Sequence, residues 1–207
     1  MAKAGPKARK GSEDTKQQLV RAAIESLKED GFVGASARAI GRRGDLNPAL
    51  IFYHFGSVND LLLAALDETS RRRMERYEEA VRQVDDLSTL IGVAAEIYRE
   101  DLESGHITVL AEMIAGASSV PDLGPEIASR MEPWVQFAEA VIGRVLKDTP
   151  MAQVLPVRDM AFAVVSLYLG IELVTHLDGD RSRTDSLFAV AGMAGSVLAP
   201  LLGGKPR

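Results

Sequence analysis

From residue 15 the chain reads TKQQLVRAAIESLKEDG, and Leu19, Val20, Ala23, Ile24 and Leu27 recur at three- and four-residue intervals. That is the spacing of one buried helix face. Thr15 with Gln18 has the form of a capping box and Gly31 that of a stop, so a first helix is expected between them, with Phe32 and Val33 tucked under its end. Ser36 then caps a short helix over ARAIGRRG; Gly44, Asp45 and Leu46 form a tight connector; and Asn47 caps the next helix, which has Pro48 in its first turn. Beyond Gly56 and Ser57 every strong pattern is helical: residues 58–83, 87–103, 106–117, 124–147, 157–177 and 184–202, separated by Gly, Pro and Asp-rich breaks. No alternating run long enough for a strand appears. The pattern predicts an all-α fold, with three short helices in front and about six longer ones behind.

The stretch NPALIFYHFGS carries four large rings. On a helix, Leu50, Ile51 and Phe55 share one face, which would pack against Ile40, Leu46 and the first helix. Asn47, Pro48, Ala49, Phe52, Tyr53 and His54 are left over. Two helices joined by a turn of a few residues are the layout of a helix-turn-helix, whose second helix enters the DNA major groove. The leftover set suits a groove: the helix N-terminus at Asn47 favours phosphate, Ala49 and Phe52 can touch thymine methyls, and Tyr53 and His54 can donate to phosphate oxygens. The bland alternative is that these rings staple a small helical bundle.

Charge sharpens the picture. The net charge of the 207 residues is −5, yet residues 1–56 hold 10 Lys and Arg against 6 Asp and Glu, while the rest hold 14 against 23. A basic module on an acidic body suits an anionic partner touching one end. The first eleven residues, with Lys3, Lys7, Arg9 and Lys10 among Gly, Ala and Pro, are expected to be a disordered basic arm. Residues 12–56 would form the helix-turn-helix domain and 57–207 a helical body. Cysteine is absent, which removes disulfides, thiolate nucleophiles and Cys-ligated metals and agrees with a cytoplasmic location. The N-terminus lacks the apolar stretch of a secretory signal, and the apolar segments 160–177 and 186–202 read as buried helices rather than membrane spans.

Residues 15–66 resemble the tetracycline-repressor (TetR) family of transcriptional regulators. The resemblance rests on EDGF at the end of the first helix, on SARAIGRR led by Ser36, and above all on LNPALIFYHFGSVNDLL. It implies a homodimeric DNA-binding protein, a repressor released from a palindromic operator when a small apolar or amphipathic effector fills its body. By the same resemblance Arg38 matches a position that is often basic, and Ser36, Asn47, Pro48, Ala49, Phe52, Tyr53 and His54 complete the expected DNA-facing set. Three positions depart from the family pattern: Phe52 where Tyr is common, Val58 where Lys follows the Ser, and Asp45 where Gly is favoured. They imply fewer phosphate contacts, leaving Arg38, Arg42, Arg43 and the arm to compensate. Arg42 and Arg43 read equally well as a solvated face.

In the body, MAFAVVSLYLGIELVTHL is apolar nearly all round, as a helix buried on two sides would be. The last helix places Gly192, Ser196 and Ala199 on a face of small residues. With Leu167, Gly170 and Val174 they form the candidate dimer interface, a two-fold bundle of four helices, although a monomeric core would carry the same pattern. Candidate ligand-lining residues are His106, Leu110, Met113, Trp134, Phe137, Tyr168 and Glu172, apolar and aromatic walls with few polar groups; an ordinary core with hydrogen-bonded histidines has the same make-up. Glu172 and His176 stand one turn apart, but two ligands do not make a metal site, and no metal or cofactor is expected. Without Cys, a phosphate loop or HExxH, little supports an all-α enzyme. A regulator-like protein that has lost operator binding and acts through protein contacts is the remaining alternative.

Overall fold

The computed structural model describes residues 6–147 and 149–198. Among the described residues are ten α-helices, one 3-10 turn and no strand. The helices are α1 (Pro6–Gly34), α2 (Ala37–Gly44), α3 (Ala49–Phe55), α4 (Val58–Ala80), α5 (Leu87–Ser104), α6 (His106–Ala117), α7 (Leu123–Ser129), α8 (Glu132–Leu146), α9 (Val157–Asp178) and α10 (Ser182–Leu198). The 3-10 turn, Pro150–Gln153, precedes α9.

Contacts group the chain into two compact units. One runs through Arg71 and takes in Thr108–Ala128; the other comprises Arg72–Ile107 and the residues from Ser129 onward. The division therefore lies inside α4 rather than at residue 56. One long helix and the two short helices α2 and α3 bury too little apolar surface to stand alone. In the first unit α4 adds the buried Leu61, Leu62 and Leu66, and α6 adds Val109, Leu110 and Met113.

The first unit departs from expectation at its start. Helix α1 begins at Pro6, so residues 6–11 are helical rather than an arm, and residues 1–5 lie outside the described residues. Thr15 is not a cap: its hydroxyl donates to the carbonyl of Gly11, one turn back, at 2.8 Å. The Lys, Ala and Arg residues that suggested an unstructured tail are good helix formers, and the helix propagates through them. Gly31 does break α1, with φ 70° and ψ 178°, a conformation that a Cβ would strain. Val33 beyond it is exposed rather than tucked away, while Phe32 is half-buried.

The second unit is built from the end of α4, from α5 and from α8, α9 and α10. Helix α8 packs on α9, and α10 on α5. Tyr77, Ile97 and Trp134 form one buried cluster, and Val81, Val84 and Val141 another. The Tyr98 hydroxyl donates to Thr175 Oγ1 at 2.7 Å, and Thr175 meets Thr184 at 3.1 Å, so one polar chain ties α5 to α9 and α10. The single helix expected over 124–147 is two, α7 and α8. Pro133, in the first turn of α8, has no N–H to continue a helical ladder from α7. At the other end, Ala199 and the expected continuation to residue 202 lie outside the described residues.

Helix α9 is expected to bury one side in its own domain and the other against a partner; in the single chain 17% of its most apolar 18-residue window is buried. Leu167, Val174 and Leu177 point outward from α9, and Val190, Met193 and Val197 from α10.

Candidate nucleic-acid interface and buried polar cluster

Helices α2 and α3 are shaped by local chemistry. The Ser36 side chain accepts the Ala39 N–H at 3.3 Å and so caps α2, satisfying one of the free donors at a helix start. The helix ends at Asp45, which adopts the left-handed conformation with φ 51° and ψ 44°. Asp tolerates this region better than most residues because its short side chain suits local hydrogen bonding. The turn is tight because Gly41 has no side chain: a Cβ there would lie 2.8 Å from the Pro48 ring and 2.9 Å from the Leu46 carbonyl oxygen. Asn47 Oδ1 accepts the Ala49 N–H at 2.9 Å and starts α3.

Ile40 and Ile51 are fully buried and Leu46, Leu50 and Phe55 half-buried, so the expected inner face of α3 is the inner face. On the outside Phe52 is 54% and Tyr53 80% exposed. Ala49 and Asn47 are exposed beside them, and Pro48 and His54 are half-buried. Tyr53 and His54 meet edge to face at 4.8 Å between ring centroids. Arg38 and Ser36 are exposed on the α2 side. A small unit therefore presents two large rings, an amide, an imidazole and a guanidinium to solvent on and beside one short helix.

Arg43 is occupied elsewhere. It donates to Glu29 at 2.6 Å, to Asp30 at 2.8 Å and to the Ser26 hydroxyl at 3.2 Å, tying α2 to the end of α1. The hydrogen bonds to Glu29 and Asp30 raise its pKa further above the usual guanidinium range. Arg42 is exposed.

Sequence reasoning missed the part that α6 plays in this unit. The Glu112 carboxylate accepts the Phe32 N–H at 2.8 Å, beside the Gly31 break. The Phe32 ring lies where a Cβ on Gly116 would be, 2.4 Å from that position.

The second unit holds a polar cluster. Arg73, 6% exposed, lies between two buried carboxylates: it donates to Asp101 Oδ2 at 2.6 Å and to Glu172 Oε1 at 2.5 Å. The Tyr77 hydroxyl donates to the same Asp101 oxygen, and the Tyr168 hydroxyl reaches it at 3.3 Å. Arg76 donates to the other Asp101 oxygen at 3.0 Å. Burial pushes the Glu172 carboxyl up to about 7, opposed by Arg73, and burial with the charges of Arg73 and Arg76 pushes His106 down to about 3. Burial also drives Tyr77 and Tyr168 upward, so both are neutral donors.

His106, Trp134, Phe137, Tyr168 and Glu172 thus belong to the second unit, while Leu110 and Met113 are buried in the first. Glu172 is bound to Arg73, and His176 is exposed. Of the candidate dimer residues, Leu167, Gly170, Val174 and Ser196 are exposed and Gly192 half-buried.

The chain has relatives in sequence and in fold. Residues 19–65 match the family described as bacterial regulatory proteins, tetR family. An HTH-type transcriptional regulator of Mycobacterium tuberculosis is 28% identical over 105 residues, 51% of this chain and 54% of the relative. The nicotine-responsive transcriptional repressor HdnoR of Paenarthrobacter nicotinovorans is 24% identical over 103 residues, 50% of this chain and 53% of the relative. The chain spans about half the length of these curated relatives. In fold, a TetR-family regulator from Cytophaga hutchinsonii superposes with a TM-score of 0.73 at 17% identity, covering 88% of this chain and 93% of that one.

Proposed function

Taking as premise that the chain belongs to the TetR family of transcriptional regulators, we propose that it is a homodimeric repressor that leaves a palindromic operator when a small molecule occupies its helical body. The observation that carries the DNA-reading part is the exposure of Phe52 and Tyr53 on α3, the second helix of the helix-turn-helix. Burying those rings would have stabilised the fold by about 2 kcal/mol each. Their exposure supports a partner, and the excess of basic residues through residue 56 supports an anionic one.

The apolar outer faces of α9 and α10 support dimerisation. Leu167, Val174 and Leu177 with Val190, Met193 and Val197 form apolar surface of the kind that marks an association site. A second copy of the same two helices would cover it in an isologous four-helix interface. Two-fold symmetry in the protein then calls for two half-sites about one helical turn apart, or a multiple of it. The nicotine response of the Paenarthrobacter relative is consistent with an effector in the body of this chain.

Selection of bound duplexes from a random DNA pool tests the proposal, and it predicts recovery of a two-fold-symmetric motif. Recovery of no motif at low salt by a folded dimer would favour a protein that acts through other proteins. Release of the selected duplex by members of a compound library then tests the effector.

A further inference from the structure

The cation cage of the second unit carries an inference that rests on the effector-binding reading and adds the charge of the effector. The Arg73 guanidinium carbon lies 5.2 Å from the ring centroid of Tyr77, 5.3 Å from that of Trp134 and 5.7 Å from that of Tyr168. Each ring turns a negative face toward a cation, while Asp101 and Glu172 take the guanidinium N–H groups. The chain has built a receptor for a planar cation and occupies it with its own side chain.

A cleft of about 190 Å³ opens next to the cage between α4 and α5, walled by Tyr77, Val93 and Ile97 and flanked by Arg76, Glu96 and Glu100. Tyr77 belongs to both, one wall shared by cage and cleft. A cavity of about 150 Å³ is enough to hold benzene; the cleft therefore suits a body of one aromatic ring.

Charge decides which sign of ligand fits. In the cleft Arg76 stands with two carboxylates, Glu96 and Glu100, and in the cage Arg73 is paired with Asp101 and Glu172. Arg76 is shared between Asp101 at 3.0 Å and Glu100 at 3.9 Å. An entering anion meets surplus negative charge and the ring faces; an entering cation meets complements to both.

We propose that the effector is an organic monocation with a planar amidinium or guanidinium head on an aromatic body, which enters the cleft against Tyr77 and competes with Arg73 for the ring cage and for Glu172. Trp134, the single tryptophan of the chain, reports directly on that competition.

The test is a titration of the full chain, followed by Trp134 fluorescence, with three probes of nearly one shape: benzamidinium, benzamide and benzoate. The expected result is a saturable response to benzamidinium, about tenfold or more tighter than to benzamide, the size of effect a charge-assisted hydrogen bond supplies. Glu172→Gln should weaken it by about tenfold; Glu96→Gln, an exposed change that leaves the core alone, should weaken it less and keeps the test available where the buried variant does not fold. Benzoate binding as tightly as benzamidinium would overturn the proposal and make Arg73 the recognising group. Equal binding of benzamide would overturn it in favour of shape alone. Both results leave the effector-binding reading standing. No saturable response to any probe overturns the cation assignment, whereas the effector-binding reading fails only if no compound releases the operator.

Discussion

The backbone N–H of Phe32 donates to the Glu112 carboxylate at 2.8 Å, joining the end of α1 to α6 across 80 positions of sequence. At the same junction a Cβ on Gly116 would lie 2.4 Å from the Phe32 ring. Gly116→Ala should therefore overpack the contact and destabilise the first unit by about 1–3 kcal/mol. Glu112→Ala leaves a backbone donor without its partner and should cost about 1–3 kcal/mol, Glu112→Gln less because an acceptor remains. Denaturant midpoints of the three variants check this; an unchanged midpoint for Gly116→Ala would mean that Phe32 moves aside freely.

Arg73 neutralises buried carboxylates from two other helices, so its loss should be costly. Arg73→Met is expected to lower stability by about 3–5 kcal/mol, because Asp101 and Glu172 lose the donors that satisfy them in an enclosed site. Adding Glu172→Gln to that variant removes one unsatisfied carboxyl and should recover part of the loss. A double-mutant cycle reads this coupling; strict additivity would contradict the pairing.

Two buried groups should give opposing pH slopes. The Glu172 carboxyl is raised from 4.5 to about 7 in the folded chain, so its contribution to stability is complete below pH 4.5 and lost as pH rises toward 7. His106 is lowered from 6.5 to about 3, so its contribution is present above pH 6.5 and lost as pH falls toward 3. Between pH 4.5 and 6.5 the two oppose each other. Glu172→Gln should make stability rise more steeply with pH in that window, and His106→Gln should make it fall. Thermal midpoints measured across the window decide; parallel profiles for both variants and the parent would refute the assignment.

These contacts mark where sequence reading stops. The three front helices were legible because their signals are local: Ser36 as cap, Gly31 as break, and Leu50, Ile51 and Phe55 on one face. The exposed ring face of α3 followed by subtraction. Thr15 misled because a capping box looks the same inside a helix that starts earlier, and α7 and α8 were merged because the helical period continues across Pro133. The Glu112–Phe32 bond and the Arg73–Glu172 pair, 80 and 99 positions apart, have no local signature at all. Leu110 and Met113 read as ligand-lining residues because they are apolar, and composition carries no signal for which unit buries them.

Asp45 holds a left-handed conformation and a negative charge in the turn between α2 and α3. Asp45→Gly removes both the steric cost of the Cβ and the charge. It should raise stability by up to about 1 kcal/mol, the roughly 1–2 kcal/mol left-handed cost less the roughly 0.5–1 kcal/mol of added backbone entropy that Gly loses on folding, and tighten DNA binding several-fold at low salt. Affinity measured against salt concentration checks the second part: a shift that survives high salt would show that the charge is not the cause.

The outer face of α9 and α10 should hold two copies together. Leu177→Glu or Val197→Glu places a charge on that face and is expected to give a folded monomer, seen by sedimentation, with DNA binding reduced by an order of magnitude or more because the two half-sites are no longer read together. A variant that remains dimeric would move the interface elsewhere.

The proposed DNA-reading role of the α3 rings rests above all on Tyr53, which is 80% exposed and contributes little to the core. Titrating a labelled copy of the selected duplex and following its fluorescence anisotropy compares the parent with Tyr53→Ala. Two protomers per duplex, an affinity at least about tenfold weaker for the variant and an unchanged thermal midpoint are expected. Equal affinity of the two proteins for the same duplex would contradict that role.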